Sequence, residues 1–92
     1  MLLGRVRGTV VATVKDPRLL GHRLLVVEPH TFQRRPDGLK FVAVDLVGAG
    51  ADEWVLYVKG REAANALADS FNPSDRALLA IVDEIALSQP DA

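Results

Sequence analysis

Five acidic residues are the first candidates for chemistry: Asp45, Asp52, Glu53, Asp83 and Glu84. Two neighbouring carboxylates can divide general-acid and general-base work between them. Nothing in the sequence marks a substrate pocket around these five, so solvated loop and edge charges are the plainer reading. His22 and His30 are the two histidines. With no cysteine and no obvious carboxylate at ligand spacing, neither belongs to a zinc pattern, and each reads as a surface or turn histidine. The absence of cysteine also excludes disulfides and thiolate chemistry. Gly48-Ala49-Gly50 begins like a dinucleotide fingerprint, but its third glycine would fall at Glu53. A strand follows where a helix would be needed, so no helix N-terminus faces a pyrophosphate. No phosphate-binding G-K-[ST] occurs. The sequence therefore predicts no catalytic residue, no cofactor and no metal.

One binding signature survives. Phe32-Gln33-Arg34-Arg35 sets an aromatic ring beside two guanidiniums in what reads as a mobile polar loop, His30 to Lys40. On a small barrel of the OB type, such a loop suits single-stranded nucleic acid, which binds by base stacking in a basic groove. The supply of rings is thin, however. There are five aromatics, and Phe41, Trp54 and Tyr57 read as packing residues.

The elements that must position these residues are mostly strands. Leu3 to Val14 alternates with period two: Gly4, Val6, Gly8, Val10, Ala12 and Val14 on one face, Arg5, Arg7, Thr9, Val11 and Thr13 on the other. Glycines on the inward face suit tight curvature in a small barrel. Arg23 to Val27 is a second strand, stopped by Pro29. Phe41 to Val47 and Trp54 to Lys59 are a third and a fourth, rich in β-branched and apolar residues. Between them Gly48-Ala49-Gly50 allows φ > 0 and close backbone approach. From Arg61 to Ser70 the period becomes helical and alanine-rich. Asp75 to Leu87 fits a helix through Leu78, Val82, Ile85 and Ala86, or a strand through Ile81, Asp83, Ile85 and Leu87. Periodicity slightly favours the helix.

Ninety-two residues make one domain, and a chain of this size buries only roughly 60–65% of its unfolded surface. Yet 49% of the residues are hydrophobic, more than so small a core hides. No run approaches the roughly 18 apolar residues of a spanning helix, and Arg5 and Arg7 interrupt any signal-peptide core. A partner subunit is the better outlet for the surplus. Net charge is −1, which argues against a dedicated polyanion binder. Its distribution is uneven. Residues 1–40 hold eight Lys/Arg against three Asp/Glu, and residues 41–92 hold three against nine. That polarity fits a head-to-tail contact between copies, with Arg5, Arg7 or Arg23 facing a neighbour's acids.

A series of motifs then carries a resemblance. These are Gly8-Thr9-Val10-Val11-Ala12-Thr13, Lys15-Asp16-Pro17, Leu24-Leu25-Val26-Val27, Ala43-Val44-Asp45, Val47-Gly48-Ala49-Gly50, Glu53-Trp54-Val55-Leu56, and Pro73-Ser74-Asp75 followed by Ala80-Ile81-Val82-Asp83. In this order, from about Leu2 to Leu87, they resemble the pentameric vertex proteins of bacterial microcompartments, the family of carboxysome and ethanolamine-utilisation shell corners. Many members carry glycine where this chain has Asp52. The form Asp52-Glu53-Trp54-Val55 is most similar to vertex proteins of the β-carboxysome.

The resemblance implies a mainly β fold: a small, five-stranded, OB-like β-barrel with one short α-helix. Residues 1–92 form a single vertex-protein domain, with 88–92 as a flexible tail. For the ambiguous end it implies a turn over Asp75 to Leu79 and then a strand over Ala80 to Leu87. It further implies a homopentamer around a narrow pore, with hexameric shell proteins as partners and no membrane or nucleic acid. The expected location is the cytoplasm, in the shell of a microcompartment, a carboxysome by the Asp52–Val55 form. Gly48, Ala49 and Gly50 are the pore or subunit-interface candidates. The runner-up is the same barrel as a free oligonucleotide-binding module, which salt-sensitive binding of single strands would reveal.

Overall fold

The computed structural model describes residues 1–11, 13, 15, 17, 19, 21–60 and 76–85. Five strands run through them: β1 (Leu2–Val10), β2 (Arg23–His30), β3 (Phe41–Asp45), β4 (Trp54–Lys59) and β5 (Arg76–Val82). They close into a barrel in the order β1-β2-β3-β5-β4. Every neighbouring pair is antiparallel except β3 and β5, which meet in parallel at Val44↔Ala77 and Asp45↔Leu78. Closure removes the free edges that an open sheet of this size would expose. The described residues contain no helix. The helix expected over Arg61 to Ser70 and the tail 88–92 lie outside them.

The interior is aliphatic. Val6, Leu25, Val27, Val55 and Leu78 are almost wholly buried and pack together, with Phe41, Val47 and Ile81 closing the cluster from its margins. Each such aliphatic side chain contributes roughly 1.5–3 kcal/mol through its removal from water. Gly4 is fixed by close approach: a Cβ there would sit 2.5 Å from Val27 Cγ1 and 3.3 Å from the Glu28 carbonyl.

Two bulges alter the facing that strict alternation predicts. In β1 the register slips between Val6 and Gly8, leaving Arg7 unmatched. Gly4 and Val6 face inward as expected, but Gly8 pairs with Val26, whose neighbours Leu25 and Val27 hold the inward positions. Gly8 and Val10 therefore leave the inward face. In β5 the slip falls at Leu79, because Leu56 pairs with Ala80 and Tyr57 with Leu78. A bulged residue lets two side chains three apart share a face. Leu78 and Ile81 both meet the core in this way, and their spacing imitates a helix. The helical reading of this segment is overturned. The strand also begins at Arg76 and ends at Val82, earlier at both ends than the Ala80 to Leu87 that the resemblance implied.

β2 also runs past Pro29 to His30. The β3 ladder on that side ends at Val27↔Phe41. The Pro29 carbonyl accepts from the Asp37 amide at 2.8 Å, so the missing N–H lies on the same side, away from β1, where no ladder bond is lost.

Candidate functional site

The turn between β3 and β4 is organised by a buried carboxylate. Asp45, the last residue of β3, keeps only 7% of its surface exposed. Its Oδ1 accepts from the amides of Val47 at 3.0 Å, Gly48 at 2.9 Å and Ala49 at 3.3 Å, while Oδ2 accepts from Ala49 at 3.1 Å. Arg23, at the start of β2, places Nη1 3.7 Å from Oδ2 and donates to the Ala49 carbonyl at 3.3 Å. A carboxylate that accepts several backbone amides takes the place of water for donors that lie out of its reach. The sequence reading set Asp45 among solvated charges and missed this role. Its signal was an acidic residue one turn ahead of a glycine pair, the pattern of a side chain that caps its own loop.

The three candidate residues separate in this frame. Gly48 is exposed, with φ +74° and open space where a Cβ would stand. Ala49 is wholly buried in the core cluster, so its methyl group packs the barrel. Gly50 has no positive φ, and its amide donates to the Glu53 carboxylate. The second left-handed residue of the turn is Asp52, with φ +63°. Its amide and that of Val6 tie the turn to β1: Asp52 donates to the Val6 carbonyl and Val6 to the Glu53 carbonyl, both at 3.0 Å.

A second cluster gathers around Trp54. Arg5 lies across it on β1, with Cζ 4.9 Å from the ring centroid, Arg34 lies at 5.8 Å, and His30 meets it edge-on at 4.8 Å. Arg5 Nε also donates to the Asp52 carbonyl at 3.0 Å. Arg7 bridges Glu28 at 3.2 Å and Asp52 at 3.0 Å. Arg5 and Arg7 are thus both engaged within the chain. His30 is buried on β2, with Nδ1 2.9 Å from the Glu28 carbonyl and Nε2 3.4 Å from Glu28 Oε1. It is no surface histidine, whereas His22 stands exposed in a turn, its amide on the Leu19 carbonyl at 3.1 Å.

The loop after His30 is tied down rather than loose. Arg34 donates to the Thr31 carbonyl, Thr31 to the Arg35 carbonyl and Asp37 to the Pro29 carbonyl, each at 2.8 Å. Arg34 holds a left-handed φ of +66°, and its guanidinium over Trp54 fixes it there. Phe32, Gln33, Arg34 and Ile85 line a shallow depression of about 210 Å³, below the range of roughly 300–1,000 Å³ typical of ligand pockets. Among the described residues no group of three or more His, Cys, Asp or Glu is placed to hold a metal. The five acidic candidates serve the backbone or stand at the surface. Among the described residues Tyr57 is the one group clearly shifted: burial pushes its hydroxyl above the usual tyrosine range, opposed by Arg76 and aided by Asp37.

Residues 1–83 match the family model described as "Ethanolamine utilisation protein EutN/carboxysome". The bacterial microcompartment shell vertex protein EutN of Salmonella typhimurium is 42% identical over 85 residues, covering 92% of this chain and 86% of the relative. The carboxysome shell vertex protein CcmL of Synechococcus elongatus is 41% identical over 85 residues, again with 92% and 86% coverage. Among solved structures, the GrpN pentameric microcompartment shell protein from Rhodospirillum rubrum superposes with a TM-score of 0.80 at 41% identity. The match covers 95% of this chain and all of that one.

Proposed function

The chain belongs to the EutN/carboxysome family of microcompartment shell vertex proteins, and on that premise we propose that it forms a homopentamer capping the corners of a microcompartment shell in the cytoplasm. The observation that carries this reading is the likeness, over nearly the whole barrel, to a solved relative described as pentameric. The work follows from geometry. Flat units tile facets, tubes and sheets, and a polyhedron closes only where five-fold units replace them. The partners of this reading are hexameric facet proteins. The role is structural, not enzymatic, as it is for the named relatives.

The relatives from carboxysomes and from ethanolamine utilisation stand at nearly the same identity, 41% and 42%. The carboxysome assignment, which rests on Asp52-Glu53-Trp54-Val55, is the narrower part of the proposal. The oligonucleotide reading rests on Phe32 to Arg35; Arg34 of that group is turned over Trp54, and the named relatives are shell vertex proteins, which favours the vertex reading.

The experiment is co-expression of hexameric facet proteins from each compartment type with and without this chain, followed by electron microscopy. Closed polyhedra should replace open tubes or leaky shells only when the chain is present, with one ring at each corner. Closure with carboxysome facets alone would support the narrower assignment. Shells equally closed without the chain, or the chain spread over the facets, would overturn the vertex reading.

A further inference from the structure

An enclosed histidine needs a partner at each ring nitrogen, and the nature of those partners sets how many protons the ring can hold there. The His30 side chain keeps only 2% of its surface exposed. Both of its nitrogens face oxygens of one residue, Glu28. Nδ1 stands 2.9 Å from the carbonyl oxygen, and Nε2 stands 3.4 Å from carboxylate Oε1. Neither oxygen has a proton to give while Glu28 is ionised. A neutral imidazole carries a proton on one nitrogen and a lone pair on the other. Whichever nitrogen keeps the proton, the other turns its lone pair toward an oxygen. Only the imidazolium donates to both. The clasp is shaped for the charged ring.

Among the described residues, charges reach this ring from several elements. On β1, Arg7 Nε shares Glu28 Oε1 at 3.2 Å and passes on to Asp52 of the β3–β4 turn at 3.0 Å. Arg5 of β1 and Arg34 of the loop after β2 lie over Trp54 of β4, whose ring His30 meets edge-on at 4.8 Å. These three arginines oppose a further positive charge. Asp52, Asp37 of the loop, and Asp83 and Glu84 after β5 favour it. Only Glu28 touches the ring nitrogens, so Glu28 decides. His30 also anchors the loop. It ends β2 and forms a bridge with Pro36, and its neighbour Thr31 donates to the Arg35 carbonyl at 2.8 Å. Ring, indole and loop are one mechanical unit.

We propose that His30 is a proton-operated latch on the loop from Thr31 to Lys40. With two protons, the ring spans the Glu28 carbonyl and carboxylate and holds Trp54 and Arg34 as observed. When one proton leaves to solvent, one of the two Glu28 contacts becomes repulsive. The ring then turns out of the clasp and gives up its edge contact with Trp54. The loop loosens, and with it the depression lined by Phe32, Gln33, Arg34 and Ile85. The closed loop holds the extra proton more firmly than the open one, so closure is favoured as pH falls and relaxes as pH rises. The latch lies within one chain and works in a single barrel as in an assembly of them.

Trp54 is the only tryptophan, so its fluorescence reports this cluster alone, and an imidazolium against an indole quenches it. Emission of the full chain is followed from about pH 5 to 8, the span in which histidine ordinarily changes charge, at constant ionic strength. Wild type should pass through one step, brighter on the alkaline side. The amide NMR signals of Arg34 and Asp37 should shift with the same midpoint. His30→Gln should abolish the step, whereas His22→Gln, at the exposed turn, should retain it. Glu28→Gln should move the midpoint to lower pH. Circular dichroism checks that the variants remain folded. The ring nitrogen shifts of His30 in wild type, which need no variant, should show two protonated nitrogens below the midpoint and one above it. A flat wild-type emission, a step that survives in folded His30→Gln, an unmoved midpoint in folded Glu28→Gln, or loop amides that ignore the titration of the ring would overturn the latch.

Discussion

Asp45 grips Ala49 with both carboxylate oxygens, 3.3 and 3.1 Å from a single amide nitrogen. Ala49 is wholly buried at that point, so no water can replace the bond. The same carboxylate collects the amides of Val47 and Gly48. The exposed part of the turn is thereby held to the buried end of β3, and what Gly48 presents outward depends on a side chain three residues earlier.

Asp45→Ala should therefore destabilise the protein by about 3 kcal/mol, since hydrogen bonds to a charged acceptor contribute roughly 1.5–3 kcal/mol and a buried donor is left without a partner. Asp45→Asn keeps one carbonyl acceptor and should lose about half as much. Urea unfolding at fixed protein concentration measures both. A denaturation midpoint unchanged in the alanine variant would remove Asp45 from this role.

Gly48 and Gly50 are predicted to respond differently although they flank the same alanine. At φ +74° an L-residue at Gly48 carries roughly 1–2 kcal/mol of backbone strain, and no neighbour within 4 Å adds to it. At Gly50 a Cβ meets only Glu53 Oε1 at 3.1 Å, the end of a side chain that can swing away. Gly48→Ala should therefore lower the melting temperature more than Gly50→Ala. Equal shifts would refute the distinction.

The barrel was legible because its strands carry their own signals. Trp54 to Lys59 was read to the residue, and Arg23 and Phe41 were read as strand starts. What misled were the places where backbone irregularity breaks the periods. A bulge at Arg7 turned Gly8 out of the inward row, and a bulge at Leu79 gave Leu78 and Ile81 a helix-like spacing. Pro29 looked like a stop because its lost donor is harmless only on a side without a ladder, and the ladder's extent is a tertiary fact. The site was less legible still. Gly48-Ala49-Gly50 stood out by composition, but burial decides that Ala49 packs the core. The burial of Asp45 and His30 follows from closure of the barrel, which no local pattern records.

Asp52 offers a check on the left-handed position that this chain fills without glycine. Its φ of +63° strains any residue with a Cβ, while its side chain gains only an exposed pair with Arg7, of the kind that contributes ~0–1 kcal/mol. Asp52→Gly loses the pair but relieves the strain, and should stay within about 0.5 kcal/mol of wild type. Asp52→Ala loses the pair and keeps the strain, and should fall about 1 kcal/mol below the glycine variant. The order of the two in urea unfolding is the result to read, and alanine at or above glycine would contradict the assigned backbone.

The last prediction concerns alkaline pH. Tyr57 lies inside the barrel with its ring 4.6 Å from that of Phe41. Burial raises its pKa above 10.0, with the Arg76 cation working against the shift and Asp37 with it. Below pH 10 the hydroxyl is protonated in both the folded and the unfolded chain, and the group makes stability neither rise nor fall with pH. Above pH 10 the unfolded chain releases this proton first. The folded state then holds more protons than the unfolded one, and stability declines as pH rises until the folded pKa is passed. Tyr57→Phe removes the titrating group while keeping the ring. The two proteins should follow parallel stability curves from neutral pH to about 9, after which wild type should fall more steeply than the variant. Chemical denaturation at a series of pH values, at constant ionic strength and protein concentration, measures the difference. Curves that remain parallel through about pH 11, or a wild type that gains on the variant there, would show that the Tyr57 hydroxyl is solvated in the folded barrel.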